Sequence, residues 1–166
     1  VAAERIKAYS ADATAAVDTD NGGLGEPTVL DYQVVLAGKG TFIADLAAMN
    51  EILADSDVVV GETDLQSELN SLVTAYNVLY GMADGGSVNE LDELSLSDYK
   101  TLGINDLDTT DNNDLTTSFL NSVMDVQSSE GIDTAAELQA FSNAVVALRD
   151  TVANGLEATN GITVEQ

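Results

Sequence analysis

Cysteine, histidine and tryptophan are missing from this chain, and proline occurs once, at Pro27. Without cysteine there are no disulfides and no thiol chemistry. Without histidine as well, the chain lacks the commonest general base and the most nucleophilic side chain. Basic residues are nearly as scarce: five Lys and Arg stand against 29 Asp and Glu, a net charge of -24. Arg5, Lys7, Lys39, Lys100 and Arg149 are scattered and form no basic patch. Such a surface repels phosphate backbones and anionic lipid heads, which argues against nucleic acid and membrane partners. No run of sequence approaches the roughly 18 to 20 apolar residues of a membrane span. Aromatics are few, five Tyr and three Phe. Core volume must therefore come from aliphatic side chains, which suits thin helical layers.

What remains is enough to fold. The chain is 45% hydrophobic, well above the composition of a disordered segment. Glycine and the Asx residues do the punctuation, clustering at Asp18–Gly25, Asp84–Gly86 and Asn105–Asp114, which predicts loops. The acidity has two readings. One is solubility in a salty or calcium-rich exterior, where counterions screen self-repulsion. The other is specific cation binding. Opening at Val1 without a signal peptide is expected of a piece cut from a longer polypeptide.

The chain matches itself. Val78–Asp84 pairs with Ile6–Asp12 at an offset of 72. Thr28–Tyr32 pairs with Ser95–Tyr99 at 67, and Asp64–Gln66 with Glu137–Gln139 at 73. A weaker middle match sets Asp45, Leu46, Met49 and Ile52 against Asp114, Leu115, Phe119 and Val123. Such ordered offsets predict two copies of one helical unit of about 70 residues, and missing a repeat would misread the whole fold.

Each unit reads as three helices. Gln66–Ala83 carries Leu69, Leu72, Val73, Tyr76, Leu79 and Tyr80 at helical spacing, and Ala136–Ala153 carries Leu138, Phe141, Val145, Leu148 and Val152. Thr134 with Glu137, and Thr63 with Gln66, have capping-box spacing. Asn154-Gly155 and Asp84-Gly85 are expected stops. Thr28 with Asp31, and Ser95 with Asp98, predict N-caps of a short second helix. The third helix is expected over Ile43–Ala54 and Leu115–Val126. The closing helix of the first unit is also the opening helix of the second, so the units share it. The expected fold is all-α and elongated. Residues 1–83 form repeat 1 with helix 64–83 shared, and residues 84–166 form repeat 2 plus the start of a third copy. Units so joined stack with neighbour contacts.

The order Pro27–Tyr32, Asp45–Asn50, Glu137–Gln139 resembles the tandem helical repeats of very large bacterial surface adhesins, which are similar to the small three-helix albumin-binding module. The resemblance covers nearly the whole chain. It implies an extracellular location at a bacterial cell surface and a tandem array that holds an adhesive tip away from the cell. The second copy departs from the pattern, lacking the proline and carrying the insertion Asp106–Asp114.

Candidate site residues are acidic. Asp18 and Asp20 begin like a calcium loop, but position 5 is Gly22 and position 12 is Val29, which breaks the helix–loop–helix template. Asp106 and Asp108 open a second acidic cluster without template spacing. For both clusters a solvated turn is the leading reading and an ordered calcium site the rival. Tyr32 and Tyr99 are expected to be half-buried, with hydroxyls reaching water. Tyr76, Tyr80, Met49 and Met82 are expected in the core. No catalytic residues and no cofactor are expected, because thin helical repeats offer no deep pocket. The leading expectation is a non-enzymatic, monomeric spacer whose partners are neighbouring repeats of the same polypeptide. The alternative is a module that binds a protein of a host or neighbouring cell, and a calcium-stiffened rod is third.

Overall fold

A computed structural model describes residues 1–37, 42–55, 64–83, 93–104, 107, 113–127 and 135–159. Among these residues every regular element is a helix. The order is α1 (Ala2–Ala11), α2 (Ala13–Val17), a single 3₁₀ turn (Thr19–Asn21), α3 (Val29–Val35), α4 (Leu46–Asp55), α5 (Leu65–Met82), α6 (Leu96–Thr101), α7 (Asn113–Asp125) and α8 (Ala135–Thr159).

Local chemistry sets most of the breaks. Asp12 has extended backbone angles, φ -161 and ψ 95, and its carboxylate accepts the Ala15 N–H at 2.9 Å. It therefore ends α1 and caps α2, because a short polar side chain competes with the helix for backbone donors. The turn after α2 folds back on it, where Gly25 N–H bonds the Ala16 carbonyl at 2.8 Å. A Cβ on Gly23 would lie 2.4 Å from that carbonyl oxygen, so only glycine fits there. Asp45 starts α4 by accepting the N–H groups of Ala47 and Ala48 on one carboxylate oxygen, at 2.8 and 3.2 Å.

The packing follows the helical stripes. The helix α1 lies against α3 and α4, while α5 lies against α4, α6 and α7. The last helix, α8, touches both α7 and α4, so a second helix besides α5 ties the first half to the second. Ile6, Met49, Ile52, Leu53, Leu69, Leu72, Leu120, Met124 and Leu138 are fully enclosed. Tyr76 and Met82 are buried and Tyr80 packs partly against the same core, as expected.

Several boundaries and registers differ from expectation. The pairing of Val78–Asp84 with Ile6–Asp12 sets buried Tyr9 against exposed Gly81. An offset of 67 instead pairs Ile6 with Val73, Tyr9 with Tyr76, and Ala16 with Ala83, buried on buried, and it continues unchanged to Tyr32 and Tyr99. The earlier match rested on Ala-Asp, a helix-end pair that carries no packing register. In the third helices the partner of Met49 is Leu120, enclosed like it, rather than Phe119, which is 42% exposed. The offset there is 71, and it sets Asn50 opposite Asn121. Asn154 and Gly155 do not stop α8, which runs through both to Thr159. A glycine permits a helix end without imposing one, and inside a helix it costs only about 1 kcal/mol against alanine. Thr63, Thr134 and Asp84-Gly85 lie outside the described residues. The N-cap of α5 is Asp64, which makes no side-chain cap bond.

The ends of α3 and α6 differ in one informative residue. Gly103, at φ 92, closes α6, with its N–H on the Lys100 carbonyl and the Ile104 N–H on the Tyr99 carbonyl. This is the left-handed cap that glycine favours. After α3 the corresponding residue is Ala37, exposed and at φ 53. An L side chain at left-handed angles costs about 1–2 kcal/mol, offset by the extra chain entropy of glycine. Ala37→Gly should therefore stabilise the fold by about 0.5–1 kcal/mol. Urea unfolding will check this, and a destabilised variant would contradict the assigned backbone.

Candidate functional site

The most elaborate polar chemistry runs from a helix start near the surface into the core, and it occurs twice. Before α3, Thr28 and Asp31 form a reciprocal capping box. The Thr28 N–H and hydroxyl donate to Asp31 Oδ2 at 2.9 and 2.7 Å, and the Asp31 N–H returns to Thr28 Oγ1 at 3.4 Å. Before α6, Ser95 and Asp98 repeat the box at 2.8, 2.6 and 3.2 Å. The next residue in each helix is a tyrosine with no exposed surface, Tyr32 or Tyr99.

Those tyrosines do not reach water, contrary to expectation. The Tyr32 hydroxyl donates to Asn50 Oδ1 at 2.7 Å, and Asn50 Nδ2 donates to the Pro27 carbonyl at 3.0 Å. In the second half Tyr99 donates to Asn121 Oδ1 at 2.7 Å, and Asn121 Nδ2 donates to the Leu94 carbonyl at 3.0 Å. One asparagine from the third helix thus ties together the second helix and the residue just ahead of its capping box. Burial pushes both phenols far above the ordinary tyrosine range, which keeps the hydroxyls protonated as donors. An enclosed tyrosine needs its hydroxyl bonded, and the amide supplies the acceptor that solvent would otherwise provide. Asn50 was visible in sequence only as part of a run, and Asn121 was hidden by the shifted register.

The two copies differ in what surrounds the box. Arg5 on α1 donates to Asp31 Oδ2 at 2.7 Å and, through Nε, to the Leu24 carbonyl at 2.8 Å. Burial pushes the Asp31 carboxyl up, but Thr28 and the Arg5 guanidinium outweigh it and hold the group below the usual carboxylate value. The matched position on α5 is Leu72, so Asp98 has no such partner there. A shallow hollow of about 310 Å³ lies beside the second box, lined by Glu93, Leu94, Ser95, Leu96, Thr117, Ser118 and Asn121. Ser95 and Asn121 are already bonded within the fold, and among the described residues Glu93 is the carboxylate in the lining.

Asp18 and Asp20 are exposed. Asp18 caps the 3₁₀ turn, accepting from the Asn21 side chain, while its carbonyl accepts from the Gly23 N–H at 2.9 Å. This is turn-forming chemistry. Among the described residues no group of three or more His, Cys, Asp or Glu side chains is placed to share a metal ion. Asp106 and Asp108 lie outside the described residues.

One acidic residue stands apart. Asp125, in the last turn of α7, is 2% exposed, and neither carboxylate oxygen has a hydrogen-bond partner among the described residues. The matched residue in α4 is Ala54.

No family model, no curated protein and no solved structure matches the chain.

Two experiments probe these groups. Asn50→Ala leaves the Tyr32 hydroxyl and the Pro27 carbonyl unbonded, and Asn121→Ala does the same to Tyr99 and Leu94. Each substitution should cost about 1–3 kcal/mol per orphaned group, measured by chemical denaturation. A loss under about 0.5 kcal/mol at either site would show that the amide holds nothing there. Asp125→Ala, which installs the residue found in α4, should stabilise the fold by about 1–3 kcal/mol by removing an uncompensated buried carboxylate. Destabilisation instead would mean that Asp125 has a partner in solution.

Proposed function

We propose that the chain is a structural extender. In this reading two tandem three-helix repeats, residues 1–83 and 84–166, share α5 and belong to an elongated array of a secreted bacterial adhesin, holding an adhesive region away from the cell. The observation that carries the reading is the doubled clamp of capping box, tyrosine, asparagine and carbonyl. Its tyrosine and asparagine groups are enclosed, its capping boxes lie toward the surface, and all of them are spent on one another, so they fix helices. The continuous α5, in contact with α4 on one side and with α6 and α7 on the other, fits a stiff joint between units. Neither a catalytic group nor a cofactor has a part in this reading. The acidic surface, at -24, serves solubility and keeps copies apart.

A second reading, a module that binds another protein, is favoured by one feature. Leu30 and Val34 lie one turn apart on α3 and are 66% and 60% exposed. The matched residues on α6 are Ser97 and Thr101, so this apolar pair belongs to the first half alone.

The extender reading is tested by shape in solution. Small-angle scattering on the monomer should give a radius of gyration well above the roughly 15 Å of a compact chain of this length. A value at 15 Å would end the elongated-array reading.

A further inference from the structure

The helix α5 receives the segment ahead of α4 through two side chains. The Tyr76 hydroxyl accepts the Asp45 N–H at 3.1 Å and donates to the Asp45 carbonyl at 3.0 Å. The neighbouring Asn77 Nδ2 donates to the Phe42 carbonyl at 2.7 Å. Both side chains recognise backbone, so the joint does not depend on the sequence of the segment it holds. The Asp45 carboxylate takes no part, being turned onto its own helix at Ala47 and Ala48.

At the offset of 67, Tyr9 and Ser10 on α1 stand where Tyr76 and Asn77 stand on α5, within matching Ala8-Tyr9 and Ala75-Tyr76 pairs. Tyr9 is 8% exposed, and its hydroxyl reaches the surface without a hydrogen-bond partner among the described residues. Tyr76, in the matched place, uses both its donor and its acceptor. We propose that the Tyr9 side of α1 is the receiving half of a second such joint, and that its occupant is a preceding copy of this repeat, docked through the backbone just ahead of its third helix.

The proposal rests on the tandem-repeat reading above and adds the residue that receives the neighbour. Two features of the site suit a backbone segment over an anionic ligand. Burial, then the charges of Glu26 and Glu51, push the Tyr9 phenol up, so the hydroxyl stays a donor. The same two carboxylates repel an anionic group, whereas a neutral carbonyl and N–H meet no such repulsion.

The test lengthens the chain by one unit at the native spacing. A copy of residues 1–67 is fused directly ahead of Val1, which sets the added third helix before α1 as α4 is set before α5. In the 166-residue chain, Tyr76→Phe should lower the Tm and Tyr9→Phe should leave it nearly unchanged. In the lengthened chain, the original Tyr9→Phe should lower the Tm by about as much as Tyr76→Phe does in the parent. Amide exchange at the added copy's Asp45, slow in the lengthened chain, should speed up with that substitution. If the lengthened chain melts in two separate transitions, one of them at the parent's temperature, the units do not stack and the repeat reading falls together with this one. If it melts in one raised transition and Tyr9→Phe stays neutral, the repeats stack by another contact and the Tyr9 assignment alone is overturned.

Discussion

The hydrogen bond from a buried tyrosine to an asparagine on the third helix is the constraint on which the rest of this fold depends. The helices that carry the tyrosines are only seven and six residues long. Helices so short are not stable in water by themselves, because nucleation costs more than a few backbone bonds return. Each is held at its start by a capping box and in its middle by a tyrosine that must find an acceptor once it is enclosed. The asparagine answers the tyrosine with its oxygen and the entering chain with its nitrogen. One side chain thereby fixes a helix, its entry point and the helix that carries the asparagine. Apolar packing around these groups supplies most of the free energy, but it has no direction and would tolerate several placements. The amide selects one.

What was legible in the sequence follows from what leaves a local trace. Capping boxes were readable because hydroxyl and carboxylate must stand three residues apart. The long α5 was readable because its apolar stripe has a 3.6-residue period. The asparagine was not readable as a functional residue, since an amide inside a helix looks like any surface polar group until its partner is known. Its partner in the second half was hidden by a one-residue error, because Phe119 looks more like a core residue than Leu120 does. Aromatic size suggested the wrong register and burial corrected it. The tyrosines misled in the opposite sense: a phenol suggests water at its tip, and nothing local announces an amide 18 or 22 residues away. The loop at Asp18 agrees with the leading reading of a solvated turn. Asp18 makes the bonds of a turn, and carboxylates at alternate positions look alike in a turn and in a calcium loop.

The halves differ where charge meets the core. In the first, Arg5 reaches Asp31 and the Leu24 carbonyl, so one of the chain's five basic residues is used to neutralise a buried carboxylate. In the second, Leu72 stands at that place and the hydrophobic core is continuous through α5. The exchange follows from position. The helix α5 has α4 on one side and α6 and α7 on the other, and apolar residues around a wide arc can all be buried there. On α1, Arg5 faces the Asp31 carboxylate of α3, where a cation rather than an apolar group is called for.

Direction of contact also separates the two kinds of polar group. The Tyr32 and Tyr99 hydroxyls bind side chains, so each needs an asparagine at one fixed place, and the pair can change only together. The Tyr76 hydroxyl binds backbone, which every residue except proline supplies in full. A joint that reads backbone tolerates sequence drift in the segment it holds, while the interior of each half does not. In the proposed array, repeating the unit would therefore demand little of the residues at the boundary beyond a tyrosine in register and a partner chain with a free N–H and carbonyl. Tyr9 meets the first of these demands on α1. The strict requirements stay inside the unit, in the amide and the capping box, and those are the groups that the two halves hold in common.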